Sequence, residues 1–359
     1  MSPNFKPIQK ILFGSPGTGK SYQIREIAQN ELSIEFDDSS RMLRNTVKTV
    51  FHPEYTYADF MGKLLPLTQG NSVIYKFYPG HFLRILGMSY KRLIDGEGEQ
   101  CLLVIDELNR GNAAAIFGTV FQLLDREDDG WSSYEVDVSD MELVGLLQSM
   151  GMSPFVDDQG QILIDQNGTK IPCNKFFQEH IDKYSNDNSR VRIFSLLQER
   201  RINIPGNLSI IATINTSDES IYYLDSAFKR RWDWTYVDVT SGIFNIYDVP
   251  KELRECHLVS RKGHNKLAKK DYGSWYPYVV GLNEFIKANA QSIRRIEDKQ
   301  IGWWFIKPKD GEIDFNQVKN KLMFYLWDGV FSRDRRPLEK IISESLKQDV
   351  SLNFYAEFL

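Results

Sequence analysis

A glycine-rich octapeptide limits the possible folds of this chain more than any other feature. It fits G-x-x-x-x-G-K-[ST] at every fixed position and consists of Gly14, Ser15, Pro16, Gly17, Thr18, Gly19, Lys20 and Ser21. The apolar run at 11–13 (ILF) predicts a buried strand before it, and Ile24, Ile27 and Ala28 after it have helical spacing. A strand, a glycine turn and a helix in this order predict a phosphate-binding loop in an α/β fold.

The residue types of this loop suit a bound triphosphate. Glycines let the backbone curl so that consecutive N–H groups point at phosphate oxygens, and the helix adds its positive N-terminal end. Lys20 would bring a positive charge to the β- and γ-phosphates, and the Ser21 hydroxyl would ligate Mg²⁺. We therefore expect Mg²⁺ and a nucleoside triphosphate at this loop.

A second signal is a pair of carboxylates after a continuous apolar run. Residues 101–105 (CLLVI) are typical of a central strand of a parallel sheet, and Asp106 and Glu107 follow at its C-terminal end, where open α/β sheets bind ligands. We expect Asp106 to hold Mg²⁺ through water and Glu107 to polarise the attacking water. A strand that ends in a solvated acidic turn is the alternative.

Two further segments carry candidate residues. The apolar run at 208–214 (LSIIATI) predicts a strand that ends at Asn215. The amide of Asn215 could hydrogen-bond the attacking water or the γ-phosphate, or the residue could act only as a turn former. A helix is predicted from Tyr222 to Phe228, and Lys229, Arg230 and Arg231 follow it. These cations would cap the helix or reach the γ-phosphate of a neighbouring subunit.

The remaining pattern divides the chain into an α/β core at 1–240 and a small α-helical lid at 241–359. The core contains predicted strands at 45–51 and 236–239, a hairpin at 71–82 that turns at Pro79-Gly80, and a helix at 82–93. Helical spacing recurs at 278–290, 315–328 and 338–348. Arg294, Arg295 and Lys299 are either lid cations for the phosphates or a solvated helix face.

An acidic segment at about 126–190 interrupts the core. Such a segment would repel a phosphate backbone, so we interpret it as an insertion that serves as a protein contact or spacer, or as a solvated elaboration without a function of its own.

Charge, hydropathy and cysteine content argue against several classes of protein. A formal net charge of -4 gives no overall attraction to DNA or anionic membranes, and no apolar run has transmembrane length. Three widely spaced cysteines indicate reduced thiols and a cytoplasmic protein. Cys256, His257 and His264 lack a second ligand pair at zinc spacing.

Taken together, these motifs resemble one branch of the AAA+ NTPases, the McrB-like motor subunits of modification-dependent restriction systems. FHPEYTYADF at 51–60 resembles the aromatic segment of that family, and VIDELNRG at 104–111 resembles its carboxylate strand. INTSDES at 214–220 resembles its M-N-T-A-D-R-S signature, with Glu219 in place of the arginine. LDSAFKRRWDW at 224–234 resembles its arginine-finger segment, and QIGWWFI at 300–306 resembles a lid motif that usually carries His-Ser-Tyr.

The resemblance implies a hexameric ring of AAA+ P-loop domains, each a parallel sheet flanked by helices and followed by a lid. It assigns roles in the same subunit to Lys20, Ser21, Asp106, Glu107, Asn215 and Asp218, and it directs Arg230, Arg231 and Arg110 toward the adjacent subunit. It further implies a separate McrC-like nuclease partner, with DNA reached indirectly through the ring complex. Whether GTP or ATP is the substrate stays open.

Two other functions fit the same motifs. A MoxR-like or dynein-related ATPase chaperone would use the same loop to remodel a client protein. An assembly scaffold would bind nucleotide without hydrolysis, but such a scaffold has no need of a water-activating acid at Glu107.

Overall fold

The computed structural model describes residues 5–70, 72–216, 222–237, 251–261, 269–293 and 296–352. The chain forms two compact units. The larger comprises Met1–Leu12, Ser21–Ile214 and Ser220–Thr235, and the smaller comprises Phe13–Lys20, Asn215–Glu219 and Tyr236–Leu359. The phosphate loop therefore belongs to the same unit as the C-terminal part of the chain.

The strands, in chain order, are β1 (Gln9–Gly14), β2 (Phe36–Asp37), β3 (Met42–Leu43), β4 (Thr46–Val50), β5 (Gly62–Gln69), β6 (Ser72–Pro79), β7 (Cys101–Asp106), β8 (Val136–Asp137), β9 (Pro154–Val156), β10 (Ile162–Gln166), β11 (Thr169–Pro172), β12 (Arg201–Ile202), β13 (Leu208–Asn215), β14 (Asp233–Tyr236), β15 (His257–Arg261), β16 (Lys269–Ser274) and β17 (Glu312–Asp314).

The α-helices are α1 (Lys20–Asn30), α2 (Tyr57–Met61), α3 (His81–Asp95), α4 (Ala113–Phe117), α5 (Asp140–Ser149), α6 (Cys173–Lys183), α7 (Asn188–Gln198), α8 (Ser226–Lys229), α9 (Lys251–Arg254), α10 (Trp275–Ala288), α11 (Ile296–Lys299), α12 (Phe315–Gln317) and α13 (Arg336–Leu346). Short 3₁₀ helices span Leu108–Arg110, Gly118–Leu124, Ala290–Ser292 and Trp303–Phe305, and Val318–Met323 and Tyr325–Val330 are π-helical.

A five-stranded parallel sheet in the order β14-β1-β13-β7-β4 confirms the predicted α/β class. Strand β13 runs parallel to β7, with Ala212 opposite Ile105, and β4 pairs with the other side of β7. The central strands β7 and β13 are buried along nearly their whole length, because helices cover both faces of such a sheet. At the edge, β4 alternates between buried and exposed side chains.

The aromatic segment at 51–60 forms a packed cluster beside this sheet. Phe51 stacks on Tyr55 with ring centroids 4.9 Å apart, and Phe60 stacks on Phe82 of α3 at 5.2 Å. Thr56 and Asp59 form a capping box that begins α2. The density of aromatic residues in this part of the sequence is thus explained by packing.

The turn predicted for the hairpin at 71–82 was placed at the wrong residues. The hairpin consists of β5 and β6, and it turns at Gly70, whose φ of 61° favours glycine. Pro79 ends β6, and Gly80 is the N-cap of α3. A Pro-Gly pair punctuates the chain, but it does not say whether a turn or a helix follows.

Two other boundaries near the end of the larger unit differ from the prediction. Residues 222–224 are not helical, because α8 begins only after Asp225, which caps it by accepting from the Phe228 amide. Strand β14 ends at Tyr236 and therefore overlaps the strand expected at 236–239 only at its first residue, and residues 238 and 239 lie outside the described residues.

The acidic segment is folded into the larger unit. Helix α5 packs on α3, β9–β11 form an antiparallel sheet, and β8 pairs with β12. Several of its carboxylates form ion pairs with arginines that follow it, including Asp129 with Arg192 and Asp140 with Arg200. Its first residue, Arg126, turns inward and donates hydrogen bonds to carbonyl oxygens that include Gly130 and Leu208.

The smaller unit contains helices α10 and α13 and the π-helical segments, which lie where helices were predicted. It also contains a three-stranded sheet that was not predicted from the sequence. That sheet has the order β16-β15-β17. A core that includes Trp275, Ile301, Trp303 and Ile306 lies between its helices and strands. Within the described ranges, no helix is both long and apolar enough to span a bilayer.

Candidate functional site

The phosphate loop follows β1 with a backbone that only glycine adopts easily. Gly17 and Gly19 have φ of 77° and 92° in the left-handed region, and α1 begins directly afterwards at Lys20. Ser15 is fully buried, and the Thr18 hydroxyl donates to the Ser15 carbonyl at 3.0 Å. The local fold predicted from the octapeptide is therefore present.

Lys20 lies folded into the loop. Its side-chain Nζ donates to the Gly14 and Ser15 carbonyl oxygens, each at 2.8 Å, and the residue is 8% exposed. Ser21 is exposed in the first turn of α1, a turn that contains no acidic residue. The loop thus combines an ammonium group, a helix N-terminus and a hydroxyl, which are groups that bind phosphate and its metal ion.

Asp106 ends β7, and its carboxylate is held by two side chains that were not predicted from the sequence. Its Oδ2 pairs with Lys48 Nζ at 2.6 Å, and its Oδ1 accepts a hydrogen bond from Thr213 Oγ1 at 3.0 Å. Lys48 lies on β4 and Thr213 on β13, the two strands that flank β7. Only the strand order brings these residues together, so nothing in the linear pattern could single them out.

Glu107 has an unusual backbone conformation. Its φ of 56° and ψ of 43° lie in the left-handed region, which a residue with a side chain seldom adopts. Its amide donates to Thr213 Oγ1 at 3.3 Å, and the 3₁₀ helix Leu108–Arg110 follows. A strained residue directly after a sheet carboxylate is a feature that recurs at functional sites.

Asn215 is the last residue of β13, the strand that lies between β1 and β7. The next residue, Thr216, donates its amide to the Gly14 carbonyl at 3.4 Å, and its buried hydroxyl has no hydrogen-bond partner in the part of the chain that the structure describes. Thr216 was not among the predicted site residues. Asp218, which was, lies outside the described residues.

The three candidate arginines have different surroundings. Arg230 is exposed at the end of α8, and Arg110 is exposed at the end of its 3₁₀ helix. Arg231, in contrast, is directed into its own chain. It pairs with Asp125 Oδ2 at 2.6 Å, donates to the Ala227 carbonyl and lies over the Phe121 ring. Arg231 therefore differs from the expectation that it projects toward another subunit.

Some of the candidates for a metal cluster and for a lid cation lie within the described residues, and others lie outside them. Cys256 is buried, and His257 hydrogen-bonds Asp271 at 3.0 Å. His264, Arg294 and Arg295 lie outside the described residues.

Two relatives match this chain over different shares of their length. The chain is 28% identical over 351 residues to the type II restriction enzyme BsuMI component YdiS of Bacillus subtilis (strain 168), covering 91% of this chain and 80% of that protein. It is 23% identical over 243 residues to the type IV methyl-directed restriction enzyme EcoKMcrB subunit of Escherichia coli (strain K12), covering 67% of this chain and 36% of that subunit. Together with the sequence motifs, these two relatives support a McrB-like AAA+ NTPase.

No protein-family model matches this chain. A solved structure of a candidate ATPase from Cytophaga hutchinsonii aligns with 98% of it and 74% of that chain, at 12% identity and a TM-score of 0.25. Support for a McrB-like AAA+ NTPase comes from the motifs of the chain, its strand order and the two relatives.

Proposed function

We propose that this chain binds a nucleoside triphosphate at the loop Gly14–Ser21 and hydrolyses it with Glu107 as the general base. The observation that carries the proposal is the end of β7, where Asp106 is held by two neighbours and Glu107 follows in a strained conformation. Such strain persists only where the surrounding structure fixes it, and it is common where a catalytic group must be positioned.

In the proposed reaction, a water oxygen forms a bond to the γ-phosphorus, and the bond from that phosphorus to the β,γ-bridging oxygen breaks. Glu107 accepts the proton of the water, and Asn215 orients that water by a hydrogen bond. Lys20 leaves its loop carbonyls for the phosphate oxygens and stabilises their charge. The products are a nucleoside diphosphate and inorganic phosphate.

The oxygen ligands available suit Mg²⁺, a hard cation that prefers hydroxyl, carboxylate and water oxygens. The exposed Ser21 hydroxyl would hold the ion, and Asp106 would do so through water because Lys48 and Thr213 already engage its carboxylate. When bound, Mg²⁺ would neutralise charge that develops on the β- and γ-phosphates.

We further propose that the chain is the motor of a restriction complex with a separate McrC-like nuclease. The names of both relatives, which are components of restriction enzymes, support this proposal. In the proposed ring of identical subunits, the exposed Arg230 reaches the γ-phosphate bound by a neighbour, with Arg110 as a second candidate. The substrate is GTP or ATP.

The test is turnover of GTP and of ATP by the full chain and by its Glu107→Gln variant, with and without the nuclease partner. The variant should bind the triphosphate as the parent does and lose at least about a hundredfold in turnover, since it keeps its shape but cannot take a proton. Lys20→Ala should instead lose binding. The exposed Glu127→Gln is the matched control and should behave as the parent.

Normal turnover by Glu107→Gln would contradict the catalytic assignment. Hydrolysis that a nuclease partner leaves unchanged, but that a client protein stimulates, would favour a MoxR-like chaperone instead.

A further inference from the structure

The segment QIGWWFI at 300–306, which resembles a lid motif, lies directly against the phosphate loop within the smaller unit. We call the residues Gln300–Phe305 the strap. The Gly302 amide donates to the Pro16 carbonyl at 3.2 Å, and the Trp304 amide donates to the Gly17 carbonyl at 2.9 Å. The strap therefore binds the loop through two successive backbone carbonyls.

These two hydrogen bonds fix the direction of the loop's N–H groups. A trans peptide is planar, and its C=O and the following N–H point in opposite directions. Because the Pro16 and Gly17 carbonyls face the strap, the N–H groups of Gly17 and Thr18 face away from it. Successive N–H groups turned to one side form the concavity that binds a phosphate.

The contact leaves no room for side chains. A Cβ on Gly302 would overlap the Gly17–Thr18 peptide, and a Cβ on Gly17 would overlap the Phe305 backbone. The Trp304 indole lies next to Gly19, where a Cβ would meet its Cδ1 at 3.4 Å. Gly302 has φ of -86°, which alanine adopts readily, so space and not backbone conformation requires glycine at this position.

The strap is in turn fixed to the core of its own unit. The buried Asn283 side chain on α10 donates to the Ile301 carbonyl and accepts from the Ile301 amide, both at 2.9 Å. The Trp275 indole N–H donates to the Trp303 carbonyl at 2.9 Å, and Trp303 stacks on Tyr276. A displacement of α10 would thus be transmitted through the strap to the phosphate loop.

We propose that Gly302 and Trp304 are positioning residues for triphosphate binding, which hold the Gly17 and Thr18 N–H groups toward the phosphates. The proposal rests on the proposed function, since it assumes that the loop binds a triphosphate. By reciprocity, a bound triphosphate stabilises the strap on the loop as much as the strap stabilises the bound triphosphate.

The test compares the full chain with Gly302→Ala, using inorganic tripolyphosphate and GTP or ATP as ligands in titration calorimetry. The variant should bind each of them at least about tenfold more weakly, because hydrogen bonds from the Gly17 and Thr18 N–H groups to charged phosphate oxygens are lost. Because the new Cβ overlaps the Gly17–Thr18 peptide, its unfolding temperature without ligand should also fall, and circular dichroism should show that it is still folded. Gly281→Ala is the control. A Cβ there meets nothing within 4 Å, so affinity should not change.

A second measurement on the parent chain covers the case in which Gly302→Ala does not fold. Amide hydrogen exchange at Gly302 and Trp304 should slow when tripolyphosphate binds. Parent affinity in Gly302→Ala, or exchange at these amides that ligand leaves unchanged, would overturn the proposal. If the parent itself binds no triphosphate, the proposed function fails first; if it binds and Gly302→Ala binds equally well, only this inference fails.

Discussion

Two adjacent arginines, Arg230 and Arg231, show how neighbours in sequence can have unrelated tasks. Arg231 forms an ion pair with Asp125 and keeps only 9% of its side chain exposed, whereas Arg230 is exposed. A buried guanidinium bound to its own chain stabilises the fold, and an exposed one is available to another molecule. Of the two, Arg230 is therefore the better candidate for a cation that acts across a subunit interface.

This difference predicts opposite effects on stability. Arg231→Met leaves the Asp125 carboxylate without its partner and should lower the free energy of unfolding by about 2–3 kcal/mol. Arg230→Met should change it by less than about 0.5 kcal/mol, as is usual for exposed positions. Urea unfolding of both variants measures the difference. Equal losses in the two variants would contradict the assignment of Arg231 to the interior.

The Asp106 carboxylate is held by neighbouring side chains before any ligand binds. Lys48, whose side chain is 53% exposed, and the buried Thr213 take one carboxylate oxygen each. The carboxylate is thus oriented along the sheet edge by groups on both adjacent strands. Such preorganisation lowers the cost of binding a cation through water.

At the scale of elements, the hairpin β5–β6 has an unusual distribution of apolar side chains. Val73, Tyr75 and Leu64 are between 49% and 68% exposed, whereas Phe77 is only 7% exposed. The Phe77 ring fills the space over two glycines, Gly62 and Gly145 of α5. An isolated two-stranded hairpin is marginal in water, so the packing of its base on α5 decides whether it forms.

We therefore expect Phe77→Ala to destabilise the protein by about 3 kcal/mol, the usual cost of removing a buried phenylalanine ring. Tyr75→Ala on the same strand is the matched control and should cost less than about 0.5 kcal/mol, because its ring is 68% exposed. Urea unfolding distinguishes the two. A Tyr75→Ala loss as large as that of Phe77→Ala would show that the hairpin packs differently.

At the scale of the whole molecule, the proposed ring separates the catalytic groups between subunits. One subunit would supply the loop, Asp106 and Glu107, and its neighbour would supply Arg230. Homo-oligomers with head-to-tail interfaces form closed rings when the rotation closes, and every interface is then equivalent. In this arrangement each site needs two subunits, whereas a site formed by a single chain would not.

The arrangement predicts complementation between two inactive variants. Arg230→Ala should lower turnover by about a thousandfold, and Glu107→Gln should be inactive for a different reason. In a random mixture, about a quarter of interfaces would join an intact Glu107 to an intact Arg230, so turnover should reappear in that proportion. Phosphate release assays on the separate and mixed variants provide the measurement. A mixture as inactive as its components would rule out a site shared in this way.

The sequence by itself determined the parts of the protein that depend on local chemistry. The loop, the apolar strands β7 and β13 and the carboxylates Asp106 and Glu107 were predicted from the chain alone, because each depends on residue types within a few positions of one another. The turn of the hairpin and the start of α8 were misplaced, since Pro, Gly and Asp punctuate a chain without stating which element comes next.

Only the tertiary structure decided which distant residues meet. The strand order β1-β13-β7-β4 brings Thr213 and Lys48 to Asp106, and the folding of the smaller unit brings Gly302 and Trp304 to the phosphate loop. The ion pair between Arg231 and Asp125 was likewise decided by the tertiary structure. The partners in these contacts are separated by 58 residues for Lys48 and Asp106 and by 286 residues for Gly302 and Pro16. No sequence periodicity indicates partners at such separations, because they are fixed by packing and not by local conformation.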